Sequence, residues 1–138
     1  MREISRKEAR IEAYEILFET EFRQDEDIND IYSKACEIRE LQDNEYTKEL
    51  YFGVLNNKAD IDSLIEDHTK GWKVSRISLP ALCAMRICVF EMKYLKLPYT
   101  ISINEAIEIT KAYDDDKTRA FVNGVLNGIK NSLSEEAQ

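Results

Sequence analysis

The stretch "LPALCAMRICVFEMKYLKL", Leu79 to Leu97, is apolar on nearly every side of a helix drawn through it. A helix with one apolar stripe can lie on a surface, whereas one that is apolar all round must be enclosed by other elements. Pro80 suits the first turn, where its missing amide leaves no hydrogen bond unmade, and Pro98 ends the run. The chain is therefore expected to be all-α and wrapped around this segment. Its 138 residues, 43% of them hydrophobic, suffice for one domain with a real core, and 4 Gly and 2 Pro are too few for the turns of a sheet protein.

Other helices follow from caps and apolar spacing. Ser5 and Glu8 fit a capping box, which starts a first helix at Arg6 with Ala9, Ala13, Ile16 and Leu17 inward and an end near Phe22. Asp27 caps a second, with Ile28, Ile31, Tyr32, Ala35 and Ile38 at helical spacing. A third begins after Asp43, and polar Asn56-Asn57-Lys58 marks a kink or break before the phase resumes at Ile61, Leu64 and Ile65. Ser102 and Glu105 form a second S-x-x-E pattern, read as the start of a sixth helix. The run Asp114-Asp115-Asp116 supplies a loop and cap for the last, about Thr118 to Ser132.

That last segment contains "AFVNGVLNGIK", with Asn-Gly twice. Asn-Gly is a strong hairpin signal, but two turns four residues apart leave no room for strands. A helix is expected, with Gly124 and Gly128 on one face giving a smooth strip against the helix begun by Ser102.

Nothing in the chain assembles a catalytic constellation. His68 is the only histidine, and there is no phosphate-cradling glycine loop and no HExxH helix, so no enzyme, cofactor or metal site is expected. Cys36, Cys83 and Cys88 are an odd set in apolar helical patterns, read as buried thiols in a reducing compartment. No apolar run reaches the roughly 18 residues needed to span a bilayer, and "MREISRKEAR" lacks a signal peptide's apolar segment, so a cytoplasmic protein is expected.

The net charge is −8, but it is unevenly placed: residues 24–70 hold 5 Lys or Arg and 13 Asp or Glu, and residues 71–101 hold 5 and 1. Such a division could serve two partners of opposite charge or only solubility. In the first helix, Arg2, Arg6, Lys7 and Arg10 crowd a helix N-terminus, where the macrodipole is already positive. Cations and unpaired amides there suit a phosphate backbone, and Tyr14, Phe18 and Phe22 along one stripe could stack on bases. The same stripe could equally be core, and the interleaved Glu8, Glu12, Glu15 and Glu19 could neutralise the cations.

Taken in order, "RKEAR", "GVL" at Gly53 to Leu55 with Asp62 and Ile65, "HTKGWKVSRI", "MRICVFEM", "INEAIEITK" and "DDKTRAFVNGVL" resemble the NusB family of bacterial transcription antitermination factors. The likeness runs from about Ser5 to Lys130. It implies a single NusB-like domain over 1–138, with an N-terminal bundle over about 5–70 and a C-terminal one over about 78–133. It also implies a function: binding the single-stranded boxA element of nascent, typically ribosomal, RNA together with the small-ribosomal-subunit protein NusE, in an RNA polymerase elongation complex with other Nus factors. Carried over residue by residue, the RNA surface would comprise Arg2, Arg6, Lys7, Arg10, Phe18, Arg86, Lys117 and Phe121.

Two departures stand out. Family members often have an acidic and then a basic residue where this chain has Ala81 and Leu82, which bears on NusE contacts, and Glu8 interrupts a run that is more uniformly basic in many members. Two alternatives differ in class: a homodimeric interaction module that uses Tyr14, Phe18 and Phe22 and never touches RNA, and an RNA-binding domain acting with a separate RNA methyltransferase.

Overall fold

The computed structural model describes residues 4–41, 43–113 and 115–136; Arg2 and Asp114 lie outside them. Among the described residues there are seven α-helices and no strand: α1 Arg6–Thr20, α2 Ile28–Ile38, α3 Glu45–Asn56, α4 Lys58–Glu66, α5 Leu79–Lys93, α6 Tyr99–Tyr113 and α7 Asp116–Glu136, with a 3-10 turn over Val74–Arg76. The chain divides into two compact units, Met1–Gly53 and Val54–Gln138, and the division falls inside α3. The division expected near residue 70 differs from this one, because α4 packs on α5 and α7 and so groups with the C-terminal helices.

In the first unit the expected caps are present. Ser5 Oγ accepts from the Glu8 amide at 3.1 Å and Glu8 Oε1 accepts from the Ser5 amide at 3.2 Å, closing the capping box. Asp27 Oδ1 accepts from the amides of Asn29 at 2.8 Å and Asp30 at 3.2 Å. α1 packs on α2. Tyr51, fully buried, donates to the Ile28 carbonyl at 3.0 Å and lies 3.0 Å from the Thr20 hydroxyl, so the phenol of α3 ties both helices while its ring sits among Tyr32 and Phe52.

In the second unit α5 is the axis. Twelve consecutive residues, Ala81 to Met92, are buried, and α4, α6 and α7 pack around them. Cys83 and Cys88 are among these, while Cys36 is only half-buried.

Boundaries depart from expectation where a proline or a backbone twist outweighs side-chain pattern. α5 ends at Lys93 rather than Leu97: the Phe90 carbonyl accepts from both Tyr94 and Leu95 amides, and Lys96 turns left-handed at φ 57°. The S-x-x-E pattern at Ser102 is not a cap. α6 starts three residues earlier, at Tyr99, with the Pro98 carbonyl accepting from the Ile101 and Ser102 amides. Pro98 has its φ already set for a helix start. Ser102 is consequently buried one turn in. α7 likewise starts early, capped by Asp115 Oδ1, which accepts from the Thr118 amide at 2.8 Å.

Both Asn-Gly pairs are inside α7, as the apolar spacing requires. The expected strip against α6 is not formed. A Cβ on Gly128 would stand 2.9 Å from His68 Cδ2, so the close neighbour is the His68 ring beyond α4, and around Gly124 nothing lies within 4 Å of that position. No described helix is long and apolar enough to cross a membrane.

Candidate nucleic-acid interface

At the start of α1, Arg6 and Lys7 are exposed, while Arg10 is buried at 5% exposure. Arg6 and Arg10 are four apart and share a face. Their guanidinium carbons lie 4.5 Å and 5.9 Å from the centre of the Tyr46 ring, so the ring's negative face draws both cations toward α3. Arg10 thus belongs to the packing of the first unit more than to its surface.

The acidic stripe of α1 does not serve these cations alone. Glu8 closes the cap. Glu12 accepts from the Thr47 hydroxyl at 3.2 Å, and burial raises its carboxyl above the usual range. Glu15 and Glu19 pair with Arg39 at 3.1 and 3.3 Å, and Glu19 also with Arg23 at 3.3 Å. The departure at Glu8 therefore has a local cause: Glu8 is the side chain that closes the capping box three residues after Ser5.

The aromatic stripe divides along its length. Tyr14 is buried, Phe18 half-buried and Phe22 exposed at 71%, with ring centres 6.4 Å and 5.5 Å apart in succession. Tyr14 is core, which removes it from the dimer face of the interaction-module alternative.

In the second unit the expected residues part company. Arg86 is 5% exposed and donates from Nε to Asp62 Oδ1 at 2.8 Å and from Nη2 to Asp62 Oδ2 at 2.9 Å. This buried two-pronged pair ties α5 to α4 and turns the Arg86 guanidinium toward Asp62 inside the unit. Ala81 and Leu82 are also buried, Ala81 at the floor of the cleft lined by Lys117 and Phe121. Lys117 and Phe121, one turn apart on α7, do come together on the surface. With Trp72, Arg76 and Thr118 they line a cleft of about 290 Å3. Trp72 and Arg76 were not singled out from sequence as site residues; the available signal was a lone Trp in a loop flanked by Lys70, Lys73 and Arg76.

The architecture is that of an all-α protein of two helical units, with exposed cations beside aromatic rings in each. The chain belongs to the NusB family, whose model matches residues 7–131. A transcription antitermination protein NusB of Listeria monocytogenes serotype 4a (strain HCC23) is 38% identical over 127 residues, covering 91% of this chain and 96% of the relative. Among solved structures, T. maritima NusB superposes with a TM-score of 0.82 at 30% identity, covering 93% of this chain and 92% of that one. A complex described as antitermination factors NusB and NusE with double-stranded RNA superposes with a TM-score of 0.83 at 28% identity, covering 92% of this chain and 96% of the matched one.

Proposed function

We propose that this protein binds the single-stranded boxA element of nascent ribosomal RNA together with NusE, within an RNA polymerase elongation complex containing other Nus factors, in the cytoplasm and without a catalytic step of its own. The observation that carries this reading is the likeness, over nearly the whole chain, to a NusB solved with NusE and RNA. Arg6 and Lys7 on α1 and Lys117 and Phe121 on α7 are the direct contacts in this proposal, with Phe18 as a further ring. Arg10 and Arg86 act as positioning residues, and Arg2 extends the basic N-terminus.

Charge explains why a partner is needed. A chain of net charge −8 repels an RNA polyanion except at its local cations, so it should bind weakly alone. Ribosomal proteins are generally basic, and a docked NusE would mask acidic surface and lengthen the positive track. The test is a titration of labelled single-stranded boxA RNA with this protein, alone and with equimolar NusE, at two salt concentrations and against a duplex competitor. The expected result is an affinity gain above tenfold and a steeper salt dependence with NusE, with the single strand preferred. Equal affinity and equal slope in both titrations would sink the shared-surface mechanism.

A further inference from the structure

Trp72 is the only tryptophan of the chain and stands 55% exposed, yet its loop holds it firmly. Thr69 Oγ1 accepts from the Trp72 amide at 3.0 Å and lies 2.7 Å from the Trp72 carbonyl. Glu66 Oε2 accepts from the Val74 amide at 2.8 Å, and Gly71 turns the chain at φ +96°, a conformation that disfavours any side chain. A large ring held outward by its own backbone is already oriented for a contact, so little ordering entropy opposes one.

The ring tilts against Phe121, with centres 5.9 Å apart, and the pair borders two clefts of the second unit. One is the cleft beside Lys117 and Arg76. The other, about 530 Å3, is lined by His68, Lys70, Ala120 and Gly124 together with the two rings, and the space above Gly124 is open. That volume falls within the roughly 300–1,000 Å3 of ligand-sized clefts. Lys70, Lys73, Arg76 and Lys117 all line the clefts that Trp72 borders, and no described Asp or Glu does. In a chain of net charge −8 this is a local reversal of sign around a pair of aromatic faces. Rings that stack on bases, ringed by cations that track phosphates, are the chemistry of single-strand recognition.

We propose that the Trp72–Phe121 pair with the open groove over Gly124 is a nucleobase-stacking site for single-stranded RNA, in which one base lies against the rings while Lys70 and Lys117 meet the flanking phosphates. The inference rests on the RNA-binding reading above and adds Trp72, Lys70 and Gly124 to it.

The experiment follows two signals in one titration of the purified protein at low salt: anisotropy of an end-labelled single-stranded boxA RNA, which reports binding, and Trp72 emission, which reports the groove. A strand with abasic sites keeps the phosphates and removes the stacking faces. The base-bearing strand should quench Trp72 and the abasic strand should not. Trp72→Ala and Gly124→Leu, the second filling the groove without removing any group, should each weaken binding about tenfold and leave the salt slope unchanged, whereas Lys70→Ala should reduce the slope. Should Trp72→Ala lower the melting temperature, Gly124→Leu and Trp72→Phe carry the test, the latter retaining most of the affinity. RNA binding with flat Trp72 emission and wild-type affinity in Gly124→Leu overturns this site and leaves the RNA reading standing. Absence of any anisotropy change, with NusE present or not, overturns both. Quenching by NusE without RNA makes the groove a protein-docking face and overturns the stacking role.

Discussion

Arg86 on α5 and Asp62 on α4 form a two-pronged ion pair of 2.8 and 2.9 Å, with side chains 6% and 17% exposed. Removing one member of such a pair leaves the other charge desolvated and alone, while replacing both with apolar groups is often neutral. Arg86→Ala should cost about 3 kcal/mol of stability in denaturant unfolding. The double change Arg86→Met with Asp62→Leu should recover most of that and bind RNA like the wild type. Persistent loss of RNA affinity in the stable double variant would return Arg86 to the direct contacts.

The cations of α1 should separate into two kinds. Arg6→Ala with Lys7→Ala should weaken RNA binding and flatten its salt dependence, with stability lowered by no more than about 1 kcal/mol, because both are exposed and only Arg6 gives up a contact, that with the Tyr46 ring. Arg10→Ala should cost about 1–2 kcal/mol by itself, through the lost contact with the Tyr46 ring and the lost packing of its stem. Thermal melts beside binding titrations tell these apart.

The two glycines of α7 should respond oppositely to the same substitution. Gly128→Leu forces a Cβ against the His68 ring, whose Nδ1 lies 2.9 Å from the Leu64 carbonyl and is not free to swing, and should cost about 1–3 kcal/mol. At Gly124 an added Cβ meets nothing within 4 Å and the open groove takes the rest of a Leu without a clash, so Gly124→Leu should stabilise by somewhat under about 1 kcal/mol through helix propensity. Equal effects in urea unfolding would refute the asymmetry.

Acid should weaken a surface tie in the second unit. Asp60 Oδ2 accepts from Lys93 Nζ at 2.7 Å and from the Tyr94 hydroxyl, and these bonds hold its carboxyl below the ordinary carboxylate value. The same arrangement, with burial leading, raises the Tyr94 phenol to about 12. A carboxyl depressed by folding contributes stability in full above its unfolded pKa, about 4, and loses it as pH falls through the lower folded value. Asp60→Asn should therefore unfold with a shallower dependence on pH below about 4 than the wild type, while the two differ by a constant amount near neutrality. Parallel curves through the acid range would contradict this.

The starts of α1 and α2 were legible because a cap is a local event: Ser5 with Glu8, and Asp27 with the two amides after it, need no distant partner. The same pattern misled at Ser102, where Pro98 had already set the backbone one turn earlier. Enclosure of α5 could be read from its composition, since only a surrounded helix can be apolar all round. Residue type also marked Arg10 and Arg86 as cations, but not that one would lie over Tyr46 and the other against Asp62. Periodicity says which face a residue takes and nothing of what arrives there. Gly128 and His68 are sixty positions apart in number, and Trp72 meets Phe121 across a similar gap, so neither contact leaves a trace in either local stretch.

The burial of Ala81 to Met92 on every side also makes α5 a clock. The amide protons from Leu82 to Met92 are enclosed and hydrogen-bonded along the helix, the Leu82 amide to the Ser78 carbonyl being the first, so fraying and local opening give them little access to deuterium. They exchange only when the second unit opens as a whole, at one shared rate that reads its global free energy. Exposed turns of α7 exchange through smaller openings and run faster. A ligand that binds the second unit in its folded form alone must slow that single rate by its own binding polynomial, so the eleven adjacent amides from Leu82 to Met92 report occupancy of a surface that none of them touches.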